Sequence, residues 1–185
     1  MADNPIPTAT SVLREEHRLI LKVAGALDLM LSAHHHGQSL DYDRVAKCIM
    51  FFRLFADACH HGKEEDLLFP ELVAKGMSKD AGPIAVMLDE HEQGRAFVGI
   101  MRATFDKARE GNEQAGAELV FAAEGFIELI VAHIGKEDNV LFGMSDGMIV
   151  GNDCRDLCAG YDEVCGRSFE GQSKEDLERL AGEIV

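Results

Sequence analysis

Apolar side chains recur along the chain at steps of three and four, and almost nothing alternates with period two, so an all-α protein is expected. Between about Thr10 and Ala33, Leu13, Ile20, Ala24, Leu27 and Leu31 share one face, and His34-His35-His36-Gly37 closes that helix. A second helix runs from about Asp41 to Lys75, seamed by Val45, Ile49, Phe52, Ala56 and Leu67. Pro70 is expected to kink it, because proline removes a helical hydrogen bond, and Gly76 ends it. The third, from about Gly82 to Arg109, turns Ile84, Met87, Val98 and Phe105 inward, and Gly111-Asn112 supplies the next turn. The fourth covers about Glu113 to Phe142, with Leu119, Ala122, Phe126 and Leu129 as its seam.

Four long helices with short connections make antiparallel neighbours, hence an up-down-up-down four-helix bundle. A cysteine-bearing segment near Asp153–Cys165 and a short helix near Ser173–Ile184 follow as a C-terminal helical appendage. The expected division is a bundle over 1–150 and an extension packed on it over 151–185.

The bundle also repeats itself. Leu13-Arg-Glu-Glu-His17 is similar to Met87-Leu-Asp-Glu-His91, and His60-His-Gly-Lys-Glu64-Glu-Asp-Leu-Leu-Phe69 is similar to His133-Ile-Gly-Lys-Glu137-Asp-Asn-Val-Leu-Phe142. The two pairs lie at nearly the same offset, which points to duplication of a helical hairpin.

Composition narrows the partners. The 185 residues are 46% hydrophobic and 28% charged, enough apolar content for one cored domain and too much for a disordered chain. With 33 acidic against 18 basic residues the formal charge is -15. Such a surface repels phosphate backbones and anionic lipid headgroups, which argues against nucleic-acid and membrane partners. No apolar run reaches the roughly 20 residues that span a bilayer. Met1-Ala-Asp-Asn-Pro5 has neither the basic flank nor the apolar stretch of a signal peptide, and five cysteines at scattered positions do not form a secreted disulfide scaffold. A reducing, cytoplasmic setting is the expectation, with monomer and homodimer both open.

The repeat carries a polar set on the apolar stripes. His17 lies between Leu13 and Ile20; His60 and Glu64, one turn apart, continue Phe52–Ala56 toward Leu67; His91 extends Met87 toward Val98; His133 and Glu137 extend Phe126–Leu129 toward Val140. A single histidine there is ordinarily a satisfied core residue. Six converging imidazoles and carboxylates, repeated across a duplication, need a shared partner, because buried carboxylates and unpaired polar groups are costly. A pair of divalent cations meets that need. Mixed imidazole and carboxylate donors suit iron, manganese or zinc, and six are too many for one tetrahedral zinc. Two metals fit, with Glu64 and Glu137 able to bridge.

At these residues the chain resembles the hemerythrin-like (HHE cation-binding) family over about residues 10–145. The resemblance rests on Glu-Glu-His17, His60-x-x-x-Glu64 leading into Leu-Leu-Phe-Pro70, Asp-Glu-His91, and His133-x-x-x-Glu137 leading into Val-Leu-Phe142. It implies two Fe ions in a non-haem di-iron centre, bridged by an oxo or hydroxo group and by carboxylates, held by His17, His60, Glu64, His91, His133 and Glu137. It also implies binding or sensing of dioxygen, nitric oxide or peroxide, in settings such as oxidative or nitrosative stress. The other readings are iron storage or donation, as in iron–sulfur cluster repair, and a peroxidase- or catalase-like enzyme. The oxygen carriers of the family have a fifth histidine where this chain has Arg95, and an aspartate five residues after the fourth-helix histidine where this chain has Glu137 after four. The set is therefore closer to the bacterial di-iron proteins of nitrosative stress and iron–sulfur repair, with one metal position open to an exogenous ligand. The small cysteine-bearing N-terminal domain of those repair proteins is not expected before Val12.

Several residues compete for attention. His61 and Glu65 form a rival pair, but Ile134 and Asp138 replace them in the other half, which leaves Glu65 a supporting role. His34 to His36 read as a solvated helix end. Cys154, Cys158 and Cys165 share one helical face, read first as small hydrophobes packing the appendage and second as a redox-responsive cluster. Cys59 is expected to face a neighbouring helix, and Lys63 and Lys136, beside Glu64 and Glu137, read first as plain solvated lysines and second as balancing carboxylate charge near the site mouth.

Overall fold

A computed structural model describes residues 8–185; Met1–Pro5, where the sequence lacks signal-peptide character, lies outside the described residues. Six helices follow one another. Helix α1 is Ser11–His35, α3 is Pro83–Arg109, α5 is Gly151–Cys165 and α6 is Lys174–Ile184. Helix α2 is composite: it opens as Tyr42–Phe51, continues through two stretches of i→i+5 hydrogen bonding, Phe52–His61 and Glu64–Leu68, and closes as Phe69–Ala74. Helix α4 is built the same way, from Glu113–Lys136 through a π-helical turn at Glu137–Leu141 to Phe142–Met148. No strand occurs among the described residues, apart from one isolated bridge between Phe169 and Gln172.

Local chemistry sets the ends. Asp41 and Asn112 accept from the backbone N–H groups of Arg44 and Ala115, satisfying first-turn donors of α2 and α4. Ser173 and Asp176 form a reciprocal capping box on α6. Gly76 and Gly111, at φ 102° and 91°, take the left-handed conformation that ends α2 and α3. Pro70 meets a break in the α-helical pattern of α2. It sits in the first turn of the closing α segment, directly after a π turn.

The four bundle helices run antiparallel, and α3 and α4 pack closest. Gly125 makes that approach possible, since a Cβ there would lie 2.6 Å from the Phe97 ring. The core divides into two apolar clusters. The larger holds Ile20, Leu27, Phe52, Phe55, Cys59, Val98, Phe126 and Ile134; the smaller holds Leu13, Leu68, Phe69, Leu72, Met87, Leu141 and Phe142. Each bundle helix passes from one cluster to the other at its conspicuous polar residues, so a polar layer separates the two. Helix α6 joins the larger cluster through Leu177, Ala181 and Ile184, whereas Leu157 and Tyr161 of α5 complete the smaller. Val140 faces solvent, unlike the seam expected to pass through it.

Candidate metal centre

All six residues expected from sequence meet in the polar layer, and each is essentially buried. Two clusters of donor atoms, each with its members within 4.8 Å of one another, share Glu64: His17, His60, Glu64 and Glu137 form one, and His61, Glu64, His91 and His133 the other. Glu64 spans them, with Oε1 3.5 Å from His60 Nε2 and Oε2 3.5 Å from His91 Nε2. Glu137 spans them too, its Oε2 lying 3.1 Å from His17 Nε2 and 3.3 Å from His133 Nε2.

The imidazoles are aimed. Nδ1 of His17 meets Asp138 at 3.0 Å, that of His60 meets Glu16 at 2.9 Å, that of His91 meets Glu65 at 2.6 Å and that of His133 meets Glu90 at 3.0 Å. A carboxylate on Nδ1 fixes the tautomer and leaves Nε2 as the inward lone pair, the arrangement that metal-ligating histidines use. The four supports obey the duplication. The residue before the first histidine of each half (Glu16, Glu90) holds the second histidine of that half (His60, His133). The residue after each inner glutamate (Glu65, Asp138) holds a first histidine of the opposite half (His91, His17). Sequence reasoning gave only Glu65 a supporting role; the equal placement of the other three in the repeat was the signal available.

His61 is the other addition. Its ring stacks on His91 with centroids 3.8 Å apart, and both its nitrogens are buried without a hydrogen-bond partner. The repeat argues against a ligand role for it, since Ile134 stands in the other half. The structure brings it beside His91 and His133 because α2 is π-helical up to that residue, and adjacent side chains His60 and His61 are both turned inward. Tyr161 of α5 is also buried, with no hydrogen-bond partner for its hydroxyl.

Burial dominates the electrostatics of the layer. Burial, then the neighbouring Glu137, pushes the Glu64 carboxyl well above the usual range. Burial pushes His61 far down, with His91, His60 and His133 adding to it, so its ring is neutral. Burial likewise lowers His60, to about 4, against the opposing hydrogen bond with Glu16. Burial of Glu16 is outweighed by His60, Lys63 and Lys174, which hold it at about 2. His17 Nε2, His60 Nε2, both His61 nitrogens and all four oxygens of Glu64 and Glu137 find no aligned hydrogen bond. Eight orphaned polar atoms in one buried layer would be a heavy penalty in a protein core, and imidazole with carboxylate is the donor set that a first-row transition metal takes. The residues fit such ions.

Lys63 corrects the sequence expectation. It is not solvated but fully buried, donating to Glu16 at 2.6 Å, and Lys174 of α6 reaches the same carboxylate at 3.0 Å. Lys136, its repeat partner, is exposed as expected and bonds Glu90. Arg95, standing where oxygen carriers have a histidine, donates to Glu65 at 2.6 Å and Asp57 at 2.9 Å and so braces the support of His91. His34 to His36 lie at the exposed end of α1. A cavity of about 190 Å³ reaches His61, His91 and His133 between apolar walls that include Phe52, Val98, Phe126 and Ile130, and Arg53, Arg95 and Arg102 also line it.

Comparison with known proteins agrees with this geometry. The family profile "Hemerythrin HHE cation binding domain" matches residues 8–145. The chain is 37% identical over 89 residues to "Iron-sulfur cluster repair protein YtfE" of Enterobacter sp. (strain 638), and 31% identical over 86 residues to proteins of the same name from Escherichia coli O1:K1 / APEC and Salmonella paratyphi B. Each match covers 45% of this chain and 39% of the relative, so the chain matches well under half the length of these curated proteins. Among the described residues no helix is long and apolar enough to cross a membrane.

Proposed function

The chain belongs to the hemerythrin HHE cation-binding family, and from that premise we propose that it holds two iron ions and binds or senses a small ligand: dioxygen, nitric oxide or peroxide. The observation that carries this reading is the pair of donor clusters joined through Glu64 and Glu137. His17 and His60 would hold one ion and His91 and His133, with His61 beside them, the other, with Glu64 and Glu137 in reach of both groups of imidazoles. When bound, the iron pair supplies a redox-active site with room for an exogenous ligand. The protein's own part is orientation and exclusion of water. Glu16, Glu65, Glu90 and Asp138 keep each Nε2 inward, the two apolar clusters keep the layer dry, and the cavity beside His61 admits a small neutral molecule past Phe52 and Phe126.

The test begins with metal analysis of protein purified without chelator or nickel resin. About two irons per chain are expected, with loss of metal and of the near-ultraviolet charge-transfer band in His91→Ala and Glu137→Ala. Titration with nitric oxide then gives a saturable spectral change in the loaded protein. Full metal retention in both variants, or folded protein with one zinc or none, overturns the reading.

A second reading, iron donation to damaged clusters, draws on the similarity to proteins named for iron–sulfur cluster repair. It predicts that an apo iron–sulfur protein draws iron out faster than a chelator of equal affinity. Equal rates would remove it.

A further inference from the structure

Beside the polar layer, but outside the donor clusters, lies a second group of chemistry-bearing side chains. Cys59 of α2, Cys165 at the end of α5 and a carboxylate oxygen of Glu16 all lie within 4.8 Å of one another. No cation is needed there, because an ammonium already occupies the middle: Lys63 Nζ is 2.6 Å from Glu16, 3.4 Å from the Cys59 sulfur and 3.7 Å from the Cys165 sulfur. A second ammonium, Lys174, stands 3.0 Å from the same carboxylate, with Glu178 3.5 Å away on its solvent side. Glu178 balances the outer lysine, and Lys63, the ammonium beside both sulfurs, is the group that favours a thiolate there.

The two thiols differ in access. Cys59 is fully buried, whereas Cys165 is half-buried at the edge of the appendage. We propose that Cys59 and Cys165 form an oxidisable dithiol that closes to a disulfide on reaction with a peroxide, clamping α5 to the bundle. The sequence pattern groups Cys165 with Cys154 and Cys158; the fold brings it instead to a cysteine of the bundle, the residue before a candidate metal donor. The proposal does not require the metal reading, since every group in it belongs to the chain.

The chemistry balances with peroxide as oxidant. The Cys165 thiolate sulfur attacks one peroxide oxygen, the O–O bond breaks, and the other oxygen leaves as water once protonated, giving a sulfenic acid. The Cys59 sulfur attacks that sulfur, the S–S bond forms, the S–O bond breaks, and hydroxide leaves with the Cys59 proton as water. Two thiols and one peroxide become one disulfide and two waters. The attacking group is the one that chemistry favours. The hydrogen bond from Cys59 lowers the Cys165 thiol against the effect of burial, and Lys63 and Lys174 add to the lowering, to about 6. Oxidation also strips Lys63 of its thiol partners and leaves it to Glu16 alone, and Glu16 holds His60, so the thiol state is one hydrogen-bonded chain from the polar layer.

The full chain, with and without bound metal, is treated with about one equivalent of hydrogen peroxide, alkylated, and mapped by mass spectrometry without reduction. A peptide pair linked through Cys59 and Cys165, lighter by two hydrogens and released by dithiothreitol, is expected in the wild type and in the double variant Cys154→Ser/Cys158→Ser. It is expected to vanish in Cys165→Ser, a near-isosteric change at a half-buried site. A Cys154–Cys158 link as the main product, or over-oxidised Cys165 beside an unchanged Cys59, overturns the proposal. Hydrogen exchange gives an independent readout. Amides of 151–165 are expected to exchange about tenfold more slowly after oxidation of the wild type, and at an unaltered rate in peroxide-treated Cys165→Ser. Unaltered exchange in the cross-linked wild type would overturn the clamp.

Discussion

Lys63 and Lys136 stand at equivalent places in the two halves, each bonded to the carboxylate that holds a histidine, yet one is buried and the other exposed. The difference comes from the C-terminal helices, which bring Lys174 and Cys165 onto Glu16 in the first half. Lys174 still faces Glu16 when Lys63 is removed, so Lys63→Ala is expected to lower unfolding stability by more than about 1 kcal/mol but by less than the roughly 3–5 kcal/mol of a fully stranded buried charge. Lys136→Ala is expected to cost less than about 1 kcal/mol, as an exposed pair does. Urea denaturation of both variants checks the contrast, and equal losses would refute it. Cys165 invites a second measurement. Its thiol is brought from the ordinary 9.0 down to about 6, whereas burial and then Cys154 raise Cys158 to about 11. Thiolate is the reactive form, so alkylation of Cys165 is expected to rise through pH 6 and level off by about pH 7, while that of Cys158 still climbs above pH 9. The six inner residues were legible in the sequence because they repeat and sit on apolar stripes. Lys63 was not, because its burial depends on a helix some hundred residues away.

The elements explain what periodicity alone overlooked. A 3.6-residue period assigns neighbouring positions to faces about 100° apart, so His60 inward implies His61 outward. Helix α2 breaks that rule with i→i+5 bonding across Phe52–His61 and Glu64–Leu68, and Phe51, Phe52, Phe55, Ala56, Cys59, His60, His61 and Glu64 are all buried. Such π segments recur at functional sites, and here α4 has one at Glu137–Leu141, the equivalent place in the repeat. Helix ends, by contrast, were legible to within a few residues, since Asp41, Gly76, Gly111 and Asn112 carry their own turn and cap chemistry. The exception is α4, which runs on to Met148, past the Phe142 that ended the apolar seam. The register can be tested by deleting Ala58, an exposed residue of the first π segment. The deletion rotates everything after it by one residue relative to Tyr42–Phe51. Helical circular dichroism is expected to stay near that of the wild type, and bound metal to fall below about half. Undiminished metal would mean that the π segment does not set the donor positions.

On the scale of the whole molecule, duplication makes a bundle whose two apolar clusters meet at a layer that apolar contacts cannot stabilise. Glu64 and Glu137 lie together in that layer, Glu64 with its carboxyl pushed well up, in a protein that already carries a net charge of -15. Self-repulsion of that size works against compaction, and the unpartnered donor atoms add their own desolvation penalty. Cations bound only by the folded state would offset both, and their contribution enters as RT ln(1 + [L]/Kd). At free metal between about 100 and 1,000 times the dissociation constant this amounts to about 2.7–4.1 kcal/mol. For a chain of this size each kcal/mol moves the melting temperature by about 2–4 °C, so stripping the metal is expected to lower it by roughly 5–16 °C. Re-addition of ferrous iron in the absence of oxygen restores it, whereas magnesium, which prefers oxygen donors alone, does not. Calorimetry of the three samples at one ionic strength separates the specific effect from screening of the acidic surface, since magnesium screens at least as well as iron does. Equal recovery with both ions would reduce the layer to a pool of negative charge, and recovery with iron alone would make the cation a structural member of the core.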